Sequence, residues 1–136
     1  MTPASRSTAQ SVSAFEAEIA HLAAQPEVRA AMQWFRDQEA EFARWQMDLA
    51  RIPAPPFGET ARGDWLTEKL HALGVKDVRR DKVGNVFGVR RGTAESFLSI
   101  SAHLDTVFPA NTPLNIRQQG RKLYGPGISD NAAGVT

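Results

Sequence analysis

Apolar residues recur every seven positions through the first third of the chain, at Val28, Phe35, Phe42 and Leu49, with Met32 and Trp45 between them. That spacing lays one apolar stripe along a helix of about six turns. Pro26 suits the first turn of such a helix, where a missing N–H leaves no bond unmade. A helix packing against a domain accounts for these aromatic residues better than an aromatic binding box does. The helical pattern already begins at Phe15. Residues 1–13 are rich in Ser, Thr and Ala, lack periodicity, and are expected to form a mobile tail.

The stretch RIPAPPFGET (51–60) breaks the pattern, because its prolines and glycine exclude a helix, and it reads as a connector. Residues 59–73 then carry Leu66, Leu70 and Leu73 on one helical face, with Gly74 as the stop. Short strands are expected next: VKDVRRD, NVFGVRR after a turn at Gly84-Asn85, and SFLSISAHLDTVF. LNIRQQ and KLY flank Gly120-Arg121 as a further hairpin. Another helix is expected to open at DNAAGVT. Helices first, then strands, then a helix predict an α/β layer.

The third of those strands raises a chemical question. Its odd positions, Phe97, Ser99, Ser101, His103 and Asp105, share one face, so the histidine and the aspartate project to the same side at the strand's exit. A carboxylate on one imidazole nitrogen fixes the tautomer and makes the other nitrogen a better metal ligand. An isolated His-x-Asp is often no more than a hydrogen-bonded pair. A second polar cluster follows in LYGPGISDNAAG, where Asp130 stands before a run of small residues. Alone, an aspartate there is ordinarily a helix N-cap.

Composition narrows the chemistry. The 136 residues suffice for one domain, and a formal net charge of +1 supplies no field that would favour nucleic acid or an anionic membrane. There are no cysteines, so a metal must be held by His, Asp or Glu. The amino terminus has no signal-peptide pattern and no run is long and apolar enough to span a bilayer, which makes the cytoplasm the expected location. His21 and His71 stand singly in helical segments and are expected to face solvent. Arg79-Arg80 and Arg90-Arg91 lie near Asp77, Asp81 and Glu95 and read as a mixed solvated surface. Glu59 reads as a helix N-terminal charge.

Taken together and in order, AHLDTVFP and KLYGPGISDNAAG resemble the di-zinc metallopeptidases that include peptidase T (tripeptide aminopeptidase), succinyl-diaminopimelate desuccinylase, acetylornithine deacetylase and aminoacylase. IPAPPFGE, the helix ending HALGV and the strand GNVFGVRRG fit the same family's opening, so the resemblance covers residues 28–136. It implies that 14–136 are the N-terminal part of a mixed-sheet zinc-peptidase catalytic domain, preceded by long amphipathic helices. It also implies that His103 ligates one zinc, that Asp105 is its catalytic-site partner holding the imidazole, and that Asp130 bridges two zinc ions. Cobalt and manganese suit the same ligands.

The implied chemistry is hydrolysis of peptide or N-acyl amide bonds, with a short peptide or N-acyl amino acid as substrate and a homodimer as the family's frequent assembly. The family's Glu-Glu pair, which supplies the general base and a ligand, has no counterpart among these residues, nor have its later acidic ligand and final His. Pro126 stands where many relatives have a basic residue, and Asn131-Ala132-Ala133 leans toward the peptidase T-like branch. The chain alone is therefore expected to be inactive. The alternative is a non-catalytic α/β module with a relict half-site; a purely structural domain leaves the Gly-Pro-Gly-x-x-Asp loop unexplained.

Overall fold

The computed structural model describes residues 6–93 and 95–136, and the chain divides into two compact units, 1–40 and 41–136. The first unit carries helices α1 (Arg6–Ala24) and α2 (Pro26–Asp37). Helix α1 therefore starts inside the stretch 1–13 that reads as a tail, and residues 1–5 of that stretch lie outside the described residues. Gln25 is the N-cap of α2, in extended conformation (φ −65°, ψ 137°), and Pro26 takes the first turn as its fixed φ favours.

The single long helix expected from Pro26 is split. Gln38 leaves helical geometry (φ −98°, ψ 8°), and α3 (Glu39–Ala50) follows. The apolar stripe has two fates along it. Val28, Met32 and Phe35 are exposed, Phe42 and Trp45 are partly covered, and Leu49 is fully buried.

In the second unit the core is small. Leu49 and Ala50 at the end of α3 pack with Ile128 and Ala132, and Met47, Ile52, Trp65, Ile116, Leu123 and Val135 close around them. Helix α4 (Thr60–Ala72) ends as its sequence dictates: Gly74 adopts φ +79°, its N–H reaches the His71 carbonyl at 2.9 Å, and the Val75 N–H reaches the Leu70 carbonyl at 3.0 Å. Only a residue without Cβ enters that left-handed conformation without strain. Glu59 precedes α4 and accepts the Phe57 N–H at 2.7 Å.

Strands β1 (Asp77–Arg80) and β2 (Val86–Val89) form an antiparallel hairpin with Arg80 opposite Val86, close to the expected positions. A side chain at Gly88 would meet Leu70 and Val75, which shows how closely the hairpin lies on α4. The turn is built on Asp81, whose carboxylate accepts N–H groups from Val83 (3.0 Å) and Asn85 (2.9 Å) and the Asn85 side-chain amide (2.9 Å). Strands β3 (Arg117–Gln119) and β4 (Lys122–Tyr124) pair antiparallel around Gly120-Arg121 as expected. Helices with two small antiparallel sheets are compatible with the α/β class. Among the described residues, no helix is long and apolar enough to cross a membrane.

One expected strand does not form. Residues 96–105 pair with no other strand, and Phe97, Leu98 and Ile100 are about nine-tenths exposed (91%, 87% and 89%). Alternation assigns a face to a strand, but a strand also needs a neighbour, and none lies beside this run among the described residues.

The Asp81 turn carries a pH prediction. The Asn85 side-chain amide is the main cause that holds this carboxyl below its ordinary range; some desolvation opposes it, and backbone N–H groups of Asn85, Val83 and Gly84 add to it. A carboxyl with a depressed folded-state pKa stabilises the fold above its unfolded pKa and loses that contribution as pH falls through the folded value. Asp81→Ala is therefore expected to melt lower than the unsubstituted chain at neutral pH. The gap should narrow once pH drops below about 4, where unfolded aspartates protonate. Thermal melts at several pH values check this, and a gap constant from neutral to strongly acid pH would contradict it.

Candidate metal centre

Two backbone segments, both held from the connector and helix side, present the polar residues. The first is 103–106. The Thr106 N–H donates to the Ala54 carbonyl at 2.7 Å and its hydroxyl to the same oxygen at 3.3 Å. Two residues earlier in the chain, the Leu104 carbonyl accepts from Arg62 Nη1 at 3.0 Å, while Arg62 Nε donates to the Ile52 carbonyl at 2.9 Å. Asp105 is thus held on one side by the Ala54 carbonyl of the proline-rich connector and on the other by Arg62 of α4, which is itself tied to the connector's Ile52 carbonyl. The connector offers free carbonyls because it forms no helix or sheet.

The second segment is the Gly-Pro-Gly loop and the wide helical turn Ile128–Ala133 after it. Gly127 (φ +69°) is the N-cap, and a Cβ there would lie 2.9 Å from Thr106 Cγ2; a Cβ on Gly125 (φ +148°) would strike Ile116. Glycine at both places lets this loop close onto the first segment. Gln46 Nε2 donates to the Ile128 carbonyl at 2.7 Å, and Ile128 and Ala132 are core residues. Asp130 sits inside the turn with non-helical backbone (φ −110°, ψ 95°). Gly127 stands at the head of this span, and the Asp130 carboxylate is turned to a use other than capping it.

That use is His103. Its Nε2 lies 2.8 Å from Asp130 Oδ1, and its Nδ1 lies 3.1 Å from both the Asp105 carbonyl and Asp105 Oδ1. Residues 27 apart are brought to one imidazole, and the i, i+2 contact expected for His103 and Asp105 forms although the segment is not a strand. Oxygens alone face both ring nitrogens, so both are satisfied together only as N–H donors, in the imidazolium. Partial desolvation disfavours that charged form, but hydrogen bonds to Asp130 and Asp105 outweigh it and raise the His103 pKa above its ordinary value. The side chains are open to solvent, at 51% for His103, 42% for Asp105 and 81% for Asp130.

The donor set suits zinc. An imidazole nitrogen and a carboxylate oxygen converge, and Asp105 on Nδ1 leaves Nε2 as the nitrogen that would take a metal once its proton is lost. It is incomplete, since a catalytic zinc takes three protein ligands and a structural one four. No group of three or more His, Cys, Asp or Glu that could hold a metal occurs among the described residues. His21, near the Gln25 amide at 3.4 Å, and His71 are exposed. Three of the four paired arginines face a carboxylate or a ring: Arg80 meets Asp64 at 2.8 Å, Arg91 meets Asp77 at 3.2 Å, and Arg79 stacks on Phe87.

Arg62 is the site residue that the sequence reading passed over. It is 1% exposed. Burial lowers its pKa from the ordinary value, and the charge of Asp105 offsets part of that. A signal for it existed: Arg62 falls four and eight positions before Leu66 and Leu70, an arginine on the apolar face of its helix.

No protein-family model matches the chain. It is similar to a putative LysW-lysine/LysW-ornithine hydrolase of Pyrococcus abyssi (strain GE5 / Orsay), 36% identical over 95 residues that make 70% of this chain and 26% of the relative. Carboxypeptidase G2 of Pseudomonas sp. (strain RS-16) is 33% identical over 86 residues, 57% of this chain and 20% of the relative. An uncharacterised protein of Escherichia coli (strain K12), YgeY, is 26% identical over 106 residues, 74% of this chain and 26% of the relative. The chain spans about a quarter of the length of the relatives it matches. Two of the three are hydrolases by name, one of them a peptidase, which supports the resemblance at that level.

Proposed function

We propose that this chain is the N-terminal part of the catalytic domain of a zinc-dependent hydrolase acting on peptide or N-acyl amide bonds. The observation that carries the reading is the 2.8 Å approach of His103 Nε2 to Asp130 Oδ1, with Nδ1 anchored on Asp105. His103 and Asp130 would hold zinc, Asp130 shared between two ions, and Asp105 keeps the imidazole in the ligating tautomer. Zinc, when bound, polarises a carbonyl and lowers the pKa of a water. His103 contributes its Nε2 lone pair once that nitrogen's proton is lost, and Nδ1–H stays with Asp105. The hydrolase names of two relatives support the reaction class; a short peptide or an N-acyl amino acid would be the substrate.

Chelation decides the matter. The intact protein is expected to hydrolyse members of a panel of short peptides and N-acyl amino acids, to stop when stripped of metal, and to resume with zinc. His103→Ala and Asp130→Ala should lower the rate by more than the roughly 10–100-fold typical of losing an outer-shell partner. The 136-residue chain alone is expected to show no turnover, for want of a general base. Hydrolysis that survives chelation or the His103→Ala change would overturn the proposal.

A further inference from the structure

Arginine is almost never fully buried without a partner charge in contact, because desolvating a guanidinium costs several kcal/mol. Arg62 is buried all the same, and it forms no salt bridge within 4.0 Å among the described residues. Its bonds go instead to two backbone carbonyls from separate parts of the chain, Ile52 at 2.9 Å and Leu104 at 3.0 Å. A rigid planar fork with several donors can span two such oxygens at fixed separation; an ammonium on a flexible stem cannot do so equally well. Leu104 is the residue between His103 and Asp105. Fixing its peptide fixes the direction in which both neighbours leave the backbone.

The surroundings of that fork agree. Thr106 is tied to Ala54 in the same connector, so 104–106 are held at both ends. A Cβ placed on Gly127 would come within 3.6 Å of Arg62 Nη2, which puts the loop leading to Asp130 against the same guanidinium. Arg62 therefore touches the backbone that carries His103 and Asp105 and lies beside the backbone that carries Asp130. Among the described residues it forms no hydrogen bond or ion pair with the side chain of any of the three, although the charge of Asp105 acts on it.

From this geometry we infer that Arg62 is the positioning residue of the metal centre, clamping the Leu104 carbonyl to the connector so that Asp105 and His103 stay in register with Asp130. The inference rests on the metal-centre reading above for its functional meaning, but its structural content is testable without metal. Asp105 holds the His103 tautomer only while the 103–105 backbone is fixed. Without the clamp the imidazole should sample both tautomers and several orientations.

The test compares Arg62→Met, which keeps an apolar stem and removes the fork, with Arg62→Lys, which keeps a cation but loses the two-carbonyl span. Two readouts are needed: the imidazole 15N shifts of His103 in the metal-free protein, at a pH high enough to leave the ring neutral, and zinc affinity by calorimetry. With circular dichroism and the thermal transition showing a folded chain, Arg62→Met is expected to average the two ring-nitrogen shifts and to weaken zinc by about 10–100-fold. Arg62→Lys should fall between. If Arg62→Met does not fold, Arg62→Lys decides alone: an intermediate shift change with weaker zinc supports the clamp, and values equal to the unsubstituted protein refute it. A folded Arg62→Met with unchanged 15N shifts also refutes it. Should the unsubstituted protein bind no zinc, the metal-centre reading fails while the metal-free 15N comparison still judges Arg62.

Discussion

The purified chain is expected to associate as its concentration rises, and Ile100→Lys is expected to return it toward the monomer. Phe97, Leu98 and Ile100 stand about nine-tenths exposed on a run that no other strand pairs with. Fully burying a Leu, Ile or Phe side chain contributes about 1.5–3 kcal/mol. Three such residues per copy offset much of the cost of ordering a short segment, about 1–2 kcal/mol per residue, and the unpaired backbone groups of an extended run add main-chain bonds when a second run lies alongside. A lysine in the middle of the run opposes this by charge and by the loss of apolar area. Light scattering across a dilution series reads the effect directly. A monomer at every concentration, or association unchanged by Ile100→Lys, would contradict it.

That same run shows where the sequence stops being informative. Its alternation is real, and the relation it predicts between His103 and Asp105 holds at 3.1 Å. What alternation does not contain is the identity of a neighbouring strand, and pairing is a property of two segments. Local punctuation was legible for the opposite reason. Gly74, Pro26 and the turn at Gly84-Asn85 act through their own backbone angles and bonds within a few residues, so each appears where the pattern puts it. The break at Gln38 was not legible, because a seven-residue spacing continues unchanged across one residue that leaves helical geometry.

Two site residues illustrate the same division. Asp130 before a small-residue run fits an N-cap by local rules, yet Gly127 stands at the head of the span and Asp130 faces a histidine 27 residues away. Arg62 stands on the apolar face of α4, a position visible in the sequence. Its two carbonyl partners lie 10 and 42 residues away, and only the folded connector brings them to one guanidinium.

Zinc affinity is expected to collapse when either converging ligand is removed. Under the proposed reading His103 and Asp130 are the converging ligands among the described residues, so the loss of one leaves a single donor there and no chelation. Asp105→Asn should have a smaller effect, about 10–100-fold, because the amide still occupies Nδ1 but no longer carries the charge that favours its N–H. The ranking of the three variants, with the two ligands above the positioning carboxylate, distinguishes a metal centre from a hydrogen-bonded surface triad.

The most direct measurement is therefore a calorimetric zinc titration of the intact protein beside its His103→Ala and Asp130→Ala variants. Saturable uptake by the former that both substitutions abolish or sharply weaken is the predicted result. No uptake by the unsubstituted intact protein, or equal uptake by all three, would contradict the account.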